Sequence, residues 1–227
     1  MAPGRIEPVP HALHGAIEIW RTDLDQYQFD PEAAILSANE RSRAERFVFD
    51  DDRRRFLAAH HVLRHLLGRA LDQQPGALAF EIGAHGKPYL PAVHGLEFSL
   101  SHSLHQCVIG ISADRPIGVD VEVMQPVVDA DALARRHFTQ GEFEQWQRAP
   151  VTDRDRVFLQ CWTRKEACLK SLGSGLSVPP VRIEAGCDSG ACRVVGEFRS
   201  SRAEIELVSI HLGETAVGAA AVLVAAA

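Results

Sequence analysis

The chain has 227 residues, enough for one large domain or two small ones with a sizeable core. Its 46% hydrophobic and 24% charged residues exclude a disordered chain or a fibrous repeat. A formal net charge of −6 argues against a general nucleic-acid binder, which carries a basic excess. Five cysteines (Cys107, Cys161, Cys168, Cys187, Cys192) form no CxxC pair and leave an odd count, which fits a reduced, cytoplasmic compartment. The N-terminal stretch has early prolines and no apolar region of the signal-peptide kind. The longest apolar run, AVGAAAVLVAAA, is too short to span a bilayer and reads as a final strand.

Residues 17–20, IEIW, predict an opening strand. SANERSRAERFVFDDDRRRFLAAHHVLRHLLGRAL predicts one helix with an apolar stripe of Phe56, Val62, Leu63, Leu66 and Leu67, ended by QPGA. FEIGAHGKPYL predicts a short strand and a turn, and LEFSLSHSLHQCVIGIS two strands with a polar connection. Arg115 and Pro116 lead into a further strand, IGVDVE. RVFLQCWTRKEACLKSLG predicts a second helix ending at Gly173, a natural residue just past a helix end. Strands are expected near 181–183, 193–198, 204–211 and 215–224. The two helices are alike in style, as are the hairpins SHSLHQCVIGIS and SIHLGETAVGAA. This faint duplication suggests two α+β halves, 1–113 and 114–227, with an interface suited to a ligand.

In IGVDVE, Ile117, Val119 and Val121 alternate toward one face and Asp120 and Glu122 toward the other. Like charges so close repel unless a cation lies between them. The acids are either solvated on an exposed face or form a hard-cation site of the kind Mg²⁺ uses. In WTRKEACLK, Trp162, Glu166 and Lys170 share one helix face. A bare i,i+4 ion pair is the plain reading. The functional one makes Glu166 a metal ligand or general base and Lys170 a phosphate-binding cation. In HGKPYL, Gly86 permits an unusual turn and Pro88 keeps Lys87 extended, as a plain surface turn or a lysine held out toward a ligand. FSLSHS puts Ser99, Ser101 and Ser103 on one strand face and His102 on the other. His94, His102 and His105 lack zinc-ligand spacing, so zinc is rejected. Arg41, Arg43, Arg46, Arg53, Arg54 and Arg55 alternate with acids as a solvated helix face, from which one or two members can grip a phosphate.

Taken in order, GKPYL, FSLSHS, IGVDVE and WTRKEACLK resemble the motif series of the 4′-phosphopantetheinyl transferases, with the likeness running over residues 41–180. The length is similar to that of the larger, surfactin-synthetase-activating type. The resemblance implies an α+β fold of two similar halves related by a pseudo-two-fold, with the active site at their interface. It implies transfer of 4′-phosphopantetheine from coenzyme A to a serine of an apo acyl, peptidyl or aryl carrier protein, with release of 3′,5′-ADP. A catalytically idle nucleotide-binding module and a metal-dependent phosphodiesterase are the competing readings. Asp120, Glu122 and Glu166 would hold Mg²⁺, or Mn²⁺ in its place. Arg55, Lys87, Ser101, His102, Lys165 and Lys170 would hold coenzyme A, His102 and Arg55 near its 3′-phosphate. Glu166 would take the serine proton, Lys170 would neutralise the leaving phosphate, and Glu142 in FTQGEF would sit near the incoming serine. A cytoplasmic monomer without nucleic-acid or membrane partners is expected. The family pattern can carry a basic residue where this chain has Glu40, which leaves the adenine-side contacts to be found among Arg41, Arg43 and Arg46.

Overall fold

A long helix laid on an antiparallel sheet occurs twice along the chain. The computed structural model describes residues 4–32, 34–83, 87–91, 95–173, 177–198 and 201–226; the expected turn at Gly86 and the rejected zinc candidate His94 lie outside them. The first sheet is built from β1 (Glu7–Pro8), β2 (Ile17–Asp23), β5 (Glu97–Ser103) and β6 (Gln106–Ser112), in the order β1-β2-β6-β5. The second contains β7 (Ile117–Val123), β8 (Cys192–Phe198), β9 (Ser201–His211) and β10 (Ala216–Ala226), in the order β7-β10-β9-β8. In both, an opening strand pairs with the last strand of a hairpin, and a long helix lies between them in sequence. These are α2 (Asp50–Leu71) and α5 (Arg154–Ser171). The α+β architecture of two similar halves is therefore present in the strand order itself. A small hairpin, β3 (Glu81–Ile82) with β4 (Pro88–Tyr89), stands apart.

Packing follows the alternation of the strands. Cys107, Ile109 and Ile111 of β6 face Ala59, Val62, Leu63 and Leu66 of α2, while Val108 joins Ile17 and Ile19 on the opposite face. Against that second face lie Ile117, Val119 and Val121 of β7 with Val208, Ile210 and Val222. The result is four layers: α2, first sheet, second sheet, α5. The Ala-rich end becomes β10, whose Ala219 and Ala221 touch α5 and whose Ala220 and Val222 enter the inter-sheet core. Small side chains suit a strand covered on both faces. Among the described residues no helix is long and apolar enough to cross a membrane.

Three local expectations are corrected. The single helix expected from Ser37 to Leu71 is two, α1 (Ala38–Ala44) and α2, because Phe49 is extended and Phe47 folds back onto Phe56 with ring centroids 5.3 Å apart. Asp50, Asp51 and Asp52 then start α2 with negative charge at its positive end. The strand expected at 181–183 is a 3-10 turn, Pro180–Arg182, whose leading proline holds a helical φ and has no N–H for a ladder. Two helices were not anticipated, α3 (Ala130–His137) and α4 (Gln140–Arg148). The second is announced by the capping box of Thr139 and Glu142.

Gly118 sets the distance between β7 and α5. A Cβ there would lie 2.0 Å from the Ala167 carbonyl oxygen and 2.4 Å from the Ser171 nitrogen. Both are backbone atoms that cannot swing aside. Gly118→Ala should therefore lift α5 off β7 at a cost on the order of 3 kcal/mol, read as a lower midpoint in urea unfolding. An unchanged midpoint would show that the helix has slack.

Candidate active site

β5 and β7 are edge strands of different sheets, and they meet without a backbone ladder. Side chains fill the gap. Ser99 Oγ accepts from the Val119 N–H at 3.1 Å and Ser103 Oγ from the Val123 N–H at 3.2 Å. Lys87 Nζ donates to the Ile117 carbonyl at 2.9 Å, and Lys170 Nζ to the Val119 carbonyl at 3.1 Å. The serine face of FSLSHS and two motif lysines thus satisfy the free edge of β7, as buried backbone groups require.

The same seam carries the acids. Ser101 Oγ donates to Asp120 Oδ1 at 2.8 Å, and Lys170 Nζ reaches that oxygen at 2.6 Å. Ser103 Oγ donates to Glu122 Oε2 at 2.7 Å. Burial raises the pKa of Glu122, and Asp120 adds to the rise against the pull of Ser103 and Lys170. Burial also raises that of Glu166, reinforced by Asp120 and Glu122 and opposed by Lys170. Three carboxylates therefore share one neighbourhood with a single lysine charge.

That excess of negative charge fits a hard cation. Asp120 Oδ2 is buried without a hydrogen-bond partner, a costly state for a carboxylate oxygen that a divalent ion would relieve. An all-oxygen donor set suits Mg²⁺ or Mn²⁺. The carboxylates are turned toward Lys170 and Ser103, and among the described residues no group of three metal-ligating side chains is already closed around a point.

Two hollows flank the acids. One, of about 470 Å³, is walled by Arg43, Phe56, His60, Ser101, His102, Glu166 and Lys170 among others. The other, of about 440 Å³, lies beside Glu122 and is lined by Pro126, Val127, Leu133, Phe158 and Trp162. His102 stands at the rim of the first, exposed to solvent on the face opposite the serines. Its pKa is lowered by desolvation against the concave wall, then by His60, Lys170 and Arg55, with Asp52 acting the other way. Of the three arginines left open by the sequence, Arg43 is the one in the wall, with its guanidinium 5.3 Å from the Phe56 ring centre.

Several candidates sit differently from expectation. Lys87 lines the cleft, but its ammonium is not held out: it is tied to the Ile117 and Lys170 carbonyls. Burial brings its pKa down to about 8, opposed by Glu97 and helped by Lys170. Arg55 is outside the wall and forms a bidentate pair with Asp25 at 2.8 and 2.9 Å. Lys165 and Glu142 do not reach the site at all. Lys165 is 0% exposed and pairs at 2.6 Å with Glu142, which is 1% exposed. Glu142 also accepts from the Thr139, Ala185 and Gly186 N–H groups. The pair fastens α4 and the 183–186 segment behind α5, so the expected coenzyme and serine contacts of these two residues are corrected to a structural role.

Glu40 has a structural role as well. It closes the capping box of α1 with Ser37 and accepts from His60 Nδ1 at 2.9 Å and Arg64 Nε at 2.9 Å. Burial favours the neutral acid, yet the bonds from His60, Arg64 and Ser37 outweigh it and bring the pKa down to about 2.

Two stability measurements follow. Because the folded pKa of Glu40 lies below its ordinary 4.5, its contribution is complete above that pH and is lost as pH falls through about 2. Glu40→Gln should lose roughly 3 kcal/mol at pH 6, and the gap to wild type should close toward pH 2; a gap independent of pH would refute the assignment. Lys165→Met leaves Glu142 charged and unpaired in the interior and should cost about 3–5 kcal/mol in urea unfolding. If that variant instead kept its stability and lost ligand affinity, Lys165 would belong to the cleft after all.

Comparison with known proteins bears on the family of the chain. Residues 116–220 match the family model of the 4′-phosphopantetheinyl transferase superfamily, and residues 18–113 match that of the 4′-phosphopantetheinyl transferase N-terminal region. The 4′-phosphopantetheinyl transferase HetI of a Nostoc species is 39% identical over 170 residues, 73% of this chain and 72% of that protein. A 4′-phosphopantetheinyl transferase of Bacillus subtilis is 32% identical over 147 residues, 64% of each chain. Sfp, also of Bacillus subtilis, is 27% identical over 156 residues, 69% of this chain and 68% of its own. With each of its two similar halves matched and the acids of the second gathered at the seam, the chain belongs to the 4′-phosphopantetheinyl transferase superfamily.

Proposed function

We propose that this chain transfers 4′-phosphopantetheine from coenzyme A to a serine of an apo acyl, peptidyl or aryl carrier protein, with Asp120, Glu122 and Glu166 holding Mg²⁺ or Mn²⁺ on the coenzyme's pyrophosphate. The observation that carries this reading is the grouping of three carboxylates and Lys170 on the divide between two hollows, with Asp120 Oδ2 buried and unpartnered. Bound there, the metal would withdraw charge from the pyrophosphate as its P–O bond breaks. Ser101 and His102 line the coenzyme side, and the second hollow gives the acceptor serine a way in.

The Glu166 side chain lines the cleft and makes no hydrogen bond among the described residues, so its carboxylate is open to take a proton. The serine oxygen bonds to phosphorus, its proton passes to Glu166, and the pyrophosphate oxygen leaves with 3′,5′-ADP. Lys170 neutralises the departing phosphate, and positioning supplies the rest. Both walls come from one chain, so a monomer suffices. Five free cysteines fit a reducing, cytoplasmic setting.

Incubating an apo-carrier protein with the chain, coenzyme A and Mg²⁺ should raise its intact mass by one phosphopantetheine group. Release of 3′,5′-ADP without a carrier protein would favour a phosphodiesterase, and no release an idle binding module. Glu166→Gln should lower single-turnover transfer by at least ~10²-fold. Its melting temperature should hold or rise, since the carboxylate it removes is repelled by Asp120 and Glu122. Near-normal transfer in that variant would remove Glu166 from the mechanism.

A further inference from the structure

His60 is one of eleven histidines and belongs to no motif named above. It projects from α2 into the wall of the coenzyme cleft, 8% exposed, with its ring 4.2 Å from that of Phe56. Its Nδ1 is 2.9 Å from Glu40 Oε1, and a carboxylate there fixes Nδ1 as the donor and sets the ring's orientation. Nε2 has no hydrogen bond among the described residues. Arg64 Nε reaches both oxygens of Glu40, at 3.1 and 2.9 Å, so the acid behind the ring is already neutralised. In front of the ring, Arg43 lies on the same Phe56, and His102 lines the same cleft. Three nitrogen-bearing side chains from α1, α2 and β5 thus converge on one part of the cleft, which is the donor set of a phosphate site.

We propose that His60 is a coenzyme-binding residue whose imidazolium form donates from Nε2–H to the 3′-phosphate beside Arg43 and His102, and that Glu40, accepting from Nδ1–H, is its positioning residue. This rests on the reading of the cleft as a coenzyme A site. It also explains why an acid stands at position 40: it orients an imidazole and does not itself meet the ligand.

The test separates the two nitrogens. In His60→Asn the amide replaces Nδ1 and keeps the bond to Glu40 while the cleft-facing nitrogen is lost. In His60→Gln the amide reaches the Nε2 position but is no longer held by Glu40. Calorimetry with adenosine 3′,5′-bisphosphate should show binding to His60→Asn weakened on the order of tenfold, and to His60→Gln weakened less. Binding of adenosine 5′-diphosphate, which lacks the 3′-phosphate, should be unchanged in both. KM for coenzyme A should rise in His60→Asn with little change in kcat, and KM for dephospho-coenzyme A should not move.

Unchanged bisphosphate affinity, or equal losses for the two nucleotides, would overturn the proposal. Should His60→Asn lower the melting temperature, imidazole NMR of the wild type replaces it. The His60 resonances should shift with the bisphosphate and not with the diphosphate, and the reverse overturns the proposal. Wild type that binds neither nucleotide would overturn the coenzyme reading itself, and this inference with it. Wild type that binds both but modifies no carrier protein would refute the transferase step alone.

Discussion

A strand edge with no strand beside it governs this site. The outer edge of β7 exposes N–H and carbonyl groups at the meeting of two sheets, where an unpaired backbone is costly. A direct ladder with β5 would satisfy them and fuse the sheets into one. Serine hydroxyls from β5 and the ammonium groups of Lys87 and Lys170 do it instead. These side chains keep a crevice open along the strand that bears Asp120 and Glu122. They also tie those acids to fixed partners, Ser101 and Ser103. Structure and chemistry draw on the same few residues, so a change to this edge acts on both.

Buried charge is handled in two ways. Away from the seam buried negative charge is paired: Glu142 with Lys165, and Glu40 with Arg64 and His60. At the seam it is left in excess, with three carboxylates around one lysine and one oxygen of Asp120 unpartnered. Folding does not require such an arrangement; it raises the pKa of Glu122 and Glu166 against the stability of the chain. Groups held in a disfavoured charge state inside a crevice are the usual mark of a binding or reacting centre.

Most of the strands were legible because their period of two is local: the valines of β7 and the serines of β5 fall where alternation puts them. The break between α1 and α2 was not, since residues 45–49 carry no proline or glycine and the cause is a tertiary contact of Phe47 with Phe56. The motifs located Lys165 and Lys170 but not their separation. Glu166 and Lys170 are four residues apart on α5 and share a face, whereas Lys165 lies about 100° from Glu166 and turns inward. Lys87 was found by its neighbours Gly86 and Pro88, yet its bonds go to carbonyls 30 and 83 residues away, which no local pattern encodes. His60 had no local signal beyond its place on the helix. Its partner lies 20 residues upstream on another helix.

The two similar halves contribute unlike chemistry from equivalent places. α2 and α5 occupy the same position in the two strand orders, each covering the outer face of its own sheet. At the seam they reach one cleft from opposite sides, α2 with His60 and α5 with Glu166 and Lys170. Nitrogen donors suited to a phosphate come from the first half, and the acids from the second. Neither sheet with its helix has a complete site: the first has no carboxylates of β7, and the second lacks Ser99, Ser103 and Lys87, which satisfy most of the β7 edge. Docking of the halves therefore completes the backbone bonding of β7 and brings these side chains to one cleft, and the inter-sheet core of Ile17, Ile19, Val108, Val119 and Val121 drives both.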